Sequence, residues 1–115
     1  MIKIIILIFL VIHANAKDYC QHPDIKPMIE KREKILPIKI DEATTLYNFL
    51  CIDSTYLYYV IVDLSQYTSD ELKASYIFNQ NQADSFYKST KGKLKVRYII
   101  HKIDGTIIKI INSKS

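Results

Sequence analysis

The chain has 115 residues, of which 16 are basic and 12 acidic, and its formal net charge is +4. The charges are spread along the sequence, which argues against a nucleic-acid-binding surface and is typical of a soluble domain. The length allows one domain, and a domain of this size buries a smaller fraction of its surface than a larger one does. A covalent cross-link would therefore help to stabilise it.

The first 16 residues have the pattern of a secretory signal peptide. Lys3 gives a basic start, Ile4 to Ile12 form an unbroken apolar run, and Ala14-Asn15-Ala16 resembles a signal peptidase site. A membrane-spanning helix would need roughly 20 apolar residues, about twice this run. We predict cleavage after Ala16, no membrane span afterwards, and export to the periplasm or the medium. A short buried apolar segment is the alternative.

Cleavage would leave a mature chain of 99 residues with 15 basic and 12 acidic residues, a net charge of +3. Residues 17–36 are predicted to form an extended start and a short helix. Pro27 suits a first helical turn and Pro37 a stop. The Lys31-Arg32 pair in this helix could dock a partner, although a solvated helix face explains the same residues. Residues 37–115 form the predicted α+β domain.

Both cysteines of the chain, Cys20 and Cys51, remain after cleavage. Two cysteines of a small exported domain most often pair, so we predict a Cys20–Cys51 disulfide. Its loop of roughly 30 residues would stabilise the fold by about 3–4 kcal/mol in the chain-entropy model. Two alternatives stay open. A thiol enzyme would need a base beside a thiolate, and zinc would need more ligands than Cys20, His22 and Cys51 supply.

Residues 38–52 and 55–64 are predicted to be the two strands of a β-hairpin. Both segments are rich in Ile, Thr, Tyr, Val and Leu, and Asp53-Ser54 between them is typical of a tight turn. Cys51 would then lie near the end of the first strand, within reach of the N-terminal segment.

A long helix is predicted to begin after Thr68. Thr68 and Glu71 stand at the spacing of a capping box, with acidic residues in the first turn. The helix should run to about Lys88, before Gly92. Apolar residues recur at spacings that gather on one face of it. They are Leu72, Tyr76, Ala83, Phe86 and Tyr87.

Residues 94–111 are predicted to form a second hairpin around Asp104-Gly105. A two-residue loop would place Ile100 beside Lys109 and mix apolar with basic side chains. We favour a three-residue loop with Gly105 in the left-handed conformation of a bulge, because that register separates the two kinds of side chain. One face then carries Leu94, Val96, Tyr98, Ile100, Ile108 and Ile110. The other carries Lys95, Arg97, His101 and Lys109, either a binding face or an ordinary solvated sheet face.

The assembled elements have the order α-ββ-α-ββ. Two β-hairpins that form an antiparallel sheet, with one long helix packed on it, define an α+β fold. No internal repeat interrupts this order.

Five stretches of the sequence resemble motifs of a group of small exported bacterial proteins, namely Leu36–Leu46, Tyr56–Tyr59, Asn79-Gln80, Leu94–Tyr98 and Asp104–Ile108. The pattern is similar to that of the family named for a quorum-sensing-regulated virulence factor of pseudomonads, over about residues 36–111. The resemblance implies a virulence-associated protein without assigned chemistry. Family members carry a cysteine in the long helix, where this chain has Gln82, and another near the carboxyl end.

The sequence contains no convincing catalytic cluster. We predict an exported non-enzymatic protein, without a cofactor or metal, that binds another protein or an envelope component. An inhibitor or immunity-type protein that blocks an exported enzyme through a hairpin loop is the alternative. A hydrolase is a third class, in which Asp41, Glu42 and His101 would have to come together.

Overall fold

The computed structural model describes residues 18–114, so the predicted signal peptide, residues 1–16, lies outside the described residues. The fold is α+β with one long helix, as predicted. Short 3-10 turns occupy Tyr19–Gln21 and Leu64–Gln66. The helices are α1 (Lys26–Lys34) and α2 (Ser69–Ser89), and the strands are β1 (Ile38–Asp41), β2 (Thr44–Ile52), β3 (Thr55–Val62), β4 (Lys95–Lys102) and β5 (Ile107–Asn112).

The described strands form one sheet in the order β1-β2-β3-β4-β5. Neighbours pair antiparallel except β3 and β4, which are parallel and are connected through α2. A parallel pair requires such a crossover connection. The prediction of an antiparallel sheet is therefore wrong at the centre, because alternation along a strand does not report the direction of its neighbour.

The segment predicted as one strand over residues 38–52 is two strands. β1 ends at Asp41, whose carboxylate accepts a hydrogen bond from the Ala43 backbone N–H at 2.8 Å, and this contact closes a turn. The predicted turn at Asp53-Ser54 is confirmed. Its two residues have φ values of 50° and 57°, as a two-residue hairpin loop requires.

The long helix has the predicted start. The Thr68 hydroxyl accepts a hydrogen bond from the Glu71 backbone N–H, and the Glu71 carboxylate accepts one from the Thr68 backbone N–H, each at 3.1 Å. The capping box thus satisfies two N–H groups that the first turn would leave without partners. Ala83 is buried, and the rest of the predicted apolar face is half-buried.

The predicted disulfide joins Cys20 to Cys51 and fixes the N-terminal segment to the end of β2. α1 packs beside it, with Ile29 buried against Phe49 and Tyr56. Ile29 is the one residue of α1 that is buried. The cross-link therefore holds a helix that has little apolar area of its own.

Arg32 of α1 points onto the sheet. Its guanidinium donates a hydrogen bond to the Tyr58 hydroxyl at 3.0 Å and lies 5.4 Å from the centroid of the Phe49 ring. A solvated helix face is therefore the wrong interpretation for Arg32, although it holds for the exposed Lys31. The partners of Arg32 are aromatic side chains of β2 and β3, and the sequence pattern of α1 alone did not reveal them.

The core lies on the helix side of the sheet in two clusters. Within residues 18–114, both helices pack on this side, and we call the opposite sheet face the open face. The first cluster is buried beneath α1 and the second half of α2 and contains Ile29, Phe49, Tyr56, Ala83, Leu94 and Val96. The second contains Val60, Val62, Ile100 and Ile111.

The β4–β5 connection has the predicted three-residue loop. Lys102 donates its backbone N–H to the Thr106 carbonyl at 2.8 Å, and Gly105 has a φ of +90°. The Asp104 carboxylate accepts the Thr106 backbone N–H, which steadies the loop.

Beyond this loop the favoured register is wrong. A register shift leaves Ile108 unpaired and places Lys109 opposite Ile100, so Lys109 lies on the helix side. The Lys109 ammonium lies 5.6 Å from the centroid of the Tyr76 ring, and Ile111 takes the buried position opposite Tyr98. A bulge in β5 thus cancels the shift that the loop introduces.

Replacement of Gly105 tests the loop. Gly105→Val should lower the free energy of unfolding by about 1–3 kcal/mol, because a β-branched residue is strained at positive φ. No other atom lies within 4 Å of the position that a Cβ would take, so the cost is that of the backbone alone. Gly105→Asn should cost less, since asparagine tolerates positive φ better. Urea denaturation measures both variants, and a Val variant as stable as the parent would contradict the loop geometry.

Candidate functional site

An apolar groove of about 200 Å³ opens on the helix side of the sheet, beside the first half of α2. Its floor is formed by Val60 and Val62 of β3 together with Tyr98 and Ile100 of β4. The wall on one side belongs to α2, and the other side is formed by β1, the start of β2 and the segment that leads into α2. We call this feature the groove.

The groove exists because the two helices cover different parts of the sheet. α1 lies over β2 near Phe49, and α2 lies over β4 and β5. The part of the sheet where Thr44 pairs with Val62 lies between α2 and β1 and has no helix lying on it, and no residue of α1 lines the groove. The opening therefore follows from helix placement and not from a missing side chain.

The groove floor is connected to α1 by stacked aromatic rings. Tyr98 stacks on Tyr58 with ring centroids 5.0 Å apart, and Tyr58 lies 4.9 Å from Phe49 and accepts the hydrogen bond of Arg32. The pKa of Tyr98 is raised to about 12, chiefly by burial and in part by the Tyr58 hydroxyl, while the Arg32 charge opposes both effects. The Tyr98 hydroxyl therefore stays protonated, and the floor carries no charge at neutral pH.

Large apolar side chains stand exposed on both rims of the groove. Ile40 of β1 is 59% exposed on one side, and Phe78 of α2 is 61% exposed on the other. Single exposed apolar residues are ordinary, but two that face each other across an apolar depression are typical of a binding site.

One end of the groove is acidic. Asp41 and Tyr67 line both the groove and an adjoining hollow, which also contains Glu42 and Glu71. The three carboxylate residues are exposed, and the Tyr67 hydroxyl is hydrogen-bonded to Thr44 at 2.7 Å. An occupant with apolar side chains and a positive charge at this end would fit both properties.

The four basic residues proposed as a binding face do not share one face. Lys95, Arg97 and His101 lie on the open face, whereas Lys109 lies on the helix side. His101 Nδ1 is 3.3 Å from the hydroxyl oxygen of Tyr47, and Arg97 donates a hydrogen bond to Asn112 at 2.6 Å. Three of the four are thus neighbours along β4.

The residues considered for chemistry are not gathered into one site. Asp41 lines the groove, Glu42 lies in the turn after it, and His101 is on the open face. The disulfide leaves neither Cys20 nor Cys51 free as a thiol. Among residues 18–114, no three side chains of His, Cys, Asp or Glu are placed to hold a metal ion. No helix in that range combines the length and apolar character needed to span a membrane.

Sequence reasoning did not find the groove. The one signal for it was Phe78, which lies off the apolar stripe of α2 and so is not explained by core packing. Ile40 and Tyr98 gave no signal, because each has the alternation expected of an ordinary strand residue.

No protein-family model matches the chain, and no curated protein matches it. Solved structures share its fold. The pilotin EpsS of the Vibrio vulnificus type 2 secretion system has a TM-score of 0.63 at 12% identity, over 87% of this chain and 93% of that one. The type 2 secretion system pilotin AspS of Vibrio cholerae has a TM-score of 0.61 at 8% identity, over 87% and 94% of the two chains.

A protein of Pseudomonas aeruginosa that is provisionally described as secreted is also similar. Its TM-score is 0.61 at 9% identity, over 86% of this chain and 93% of that one. At identities this low, the three likenesses show a common fold, and they cover nearly the whole of each chain.

The raised pKa of Tyr98 predicts how alkali acts on stability. The folded pKa of about 12 exceeds the ordinary tyrosine value near 10. The protonated hydroxyl therefore contributes fully to the free energy of unfolding below about pH 10, and this contribution is lost as the pH rises towards 12. The free energy of unfolding should fall between pH 8 and pH 11 in both proteins, and the fall should be about 1 kcal/mol smaller in Tyr98→Phe than in the parent. Urea denaturation at both pH values measures this difference. Equal losses in the two proteins would contradict the desolvation of Tyr98.

Proposed function

We propose that this chain is an exported, non-enzymatic protein whose groove binds a segment of another protein. The observation that carries the proposal is the pair of exposed apolar side chains, Ile40 and Phe78, on opposite rims of an apolar depression. The disulfide supports export, because such bonds persist in oxidising compartments. The fold likeness to two secretion-system pilotins supports a role in binding a component of an exported assembly.

The size of the groove indicates what enters it. Small-molecule sites usually have volumes of about 300–1,000 Å³, whereas this groove holds about 200 Å³. That space suits a few apolar side chains of a longer segment that lies along the rims. The acidic end formed by Asp41, Glu42 and Glu71 would pair with a Lys or Arg of the same segment.

The alternative function is inhibition of an exported enzyme through a hairpin loop. Ile103 favours it, because this apolar side chain is 71% exposed in the β4–β5 loop. Kinship with the quorum-sensing-regulated family, and the virulence association that it implies, remain proposals that rest on the sequence motifs alone.

Site-specific photocrosslinking tests the groove. A photoreactive amino acid in place of Phe78 should cross-link to one protein of the native bacterial envelope. The matched control is the same substitution at Ile77, which is 63% exposed but does not line the groove. Ile77 should give no specific product, because its side chain points away from the occupant.

The partner identified in this way allows affinity to be measured. Phe78→Ser and Ile40→Ser should each weaken binding about tenfold, or about 1.4 kcal/mol, whereas Ile77→Ser should leave it unchanged. All three side chains are exposed, so the variants should fold like the parent. If the Phe78→Ser and Ile77→Ser variants bound the partner with equal affinity, the binding site would lie outside the groove. A partner that binds through Ile103 would favour the alternative function, inhibition of an exported enzyme.

A further inference from the structure

The open face of the sheet is apolar across its centre. Tyr59, Ile99 and Ile110 lie side by side on three neighbouring strands, and Leu50 and Leu57 form the start of the next row. These residues are covered only in part: Ile110 is 48% exposed, and the others are half-buried. Within residues 18–114, no helix lies on this face.

The charged strand residues of the open face all have one sign. Lys39, Lys95 and Arg97 lie on it, as their pairing partners show. The one acidic residue within the described strands, Asp41, lines the groove on the other side. The open face is thus an apolar surface with a cationic rim and no strand carboxylate to neutralise it.

Polar aromatic groups lie near the middle of this face. The Tyr47 ring is 5.9 Å from that of Tyr59 and 5.7 Å from that of His101, measured between centroids. The Tyr47 hydroxyl and His101 Nδ1 lie 3.3 Å apart and pair with each other, which leaves the Tyr59 hydroxyl and His101 Nε2 for a partner. A partner that covers them must supply hydrogen-bonding groups as well as apolar ones.

The dimensions of the face suit one helix. With strands about 4.8 Å apart and alternate residues about 6.8 Å apart, the four-strand area from β2 to β5 measures roughly 20 Å on each side. A helix of about 14 residues has the same length. A sheet covered on one face can add a third layer of this kind.

We infer that the open face docks an acidic amphipathic helix of a protein partner, at a site separate from the groove. Apolar residues of that helix would cover Tyr59, Ile99 and Ile110, and its carboxylates would meet Lys95 and Arg97. The acidic end of the groove suits a positively charged occupant, whereas the open face suits a negatively charged one, so the same segment would not bind well at both sites.

Two other occupants fit less well. A second copy would bring the cationic strand residues of this face against one another, with no strand carboxylate of the face to pair with Lys39, Lys95 or Arg97. A bilayer would bury the Tyr59 hydroxyl and His101 Nε2 without hydrogen-bond partners, since the Tyr47 hydroxyl already pairs with His101 Nδ1. A protein helix supplies both carboxylates and hydrogen-bond acceptors.

The test uses a synthetic helical peptide of about 15 residues with leucines at positions i, i+3, i+4 and i+7 and glutamates beside them. A matched peptide has lysine in place of each glutamate. Fluorescence anisotropy with the exported, oxidised protein should show the acidic peptide binding about tenfold more tightly. Ile110→Ser should weaken this binding several-fold, and Arg97→Glu should reverse the preference between peptides. Lys95→Glu, at a second exposed position, should reduce the same preference.

The groove variant Phe78→Ser separates the two sites, because it should leave binding of the acidic peptide unchanged. Loss of binding in Phe78→Ser would overturn the inference, as would equal affinity for the two peptides or an unchanged preference in Arg97→Glu. Sedimentation velocity and vesicles of phosphatidylglycerol and phosphatidylethanolamine test the competing occupants. A dimer, or vesicle binding, that is lost in Ile110→Ser would assign the face to a second copy or a membrane instead.

Discussion

The disulfide between Cys20 and Cys51 is the constraint on which the placement of α1 over the sheet depends. α1 is short and charged, and Ile29 is its one buried residue. Such a helix is marginal in water, because a short helix gains most of its stability from packing. The disulfide closes a loop with a sequence separation of 31 residues and removes freedom from the unfolded chain, which is worth about 3–4 kcal/mol in the entropy model.

The cross-link also places Arg32 where it can act. With α1 held over the end of β2, the guanidinium reaches the Tyr58 hydroxyl and the face of Phe49. Tyr58 in turn stacks on Tyr98, a residue of the groove floor. The covalent bond at one end of the sheet is therefore linked by continuous packing to the floor of the groove, although no residue of α1 lines the groove itself.

Local signals predicted the elements well, and tertiary pairing explains what they missed. The capping box at Thr68, the turn at Asp53-Ser54 and the loop at Gly105 each depend on a few adjacent residues, and each is present. The parallel pairing of β3 with β4 and the bulge at Ile108 depend on distant partners, so alternation along one strand did not reveal them. The groove was missed for the same reason, because its lining comes from four strands, α2 and the segment before it.

Amide hydrogen exchange of the oxidised and reduced protein tests the role of the disulfide most directly. After reduction, the amides of α1 and of β2 near Cys51 should exchange much faster, because packing through Ile29 and Arg32 alone is weak. The paired amides of β3 and β4 should keep their protection, since α2 and the core hold them. If the amides of α1 kept their full protection after reduction, side-chain packing alone would hold the helix on the sheet, and the disulfide would not be the constraint described above.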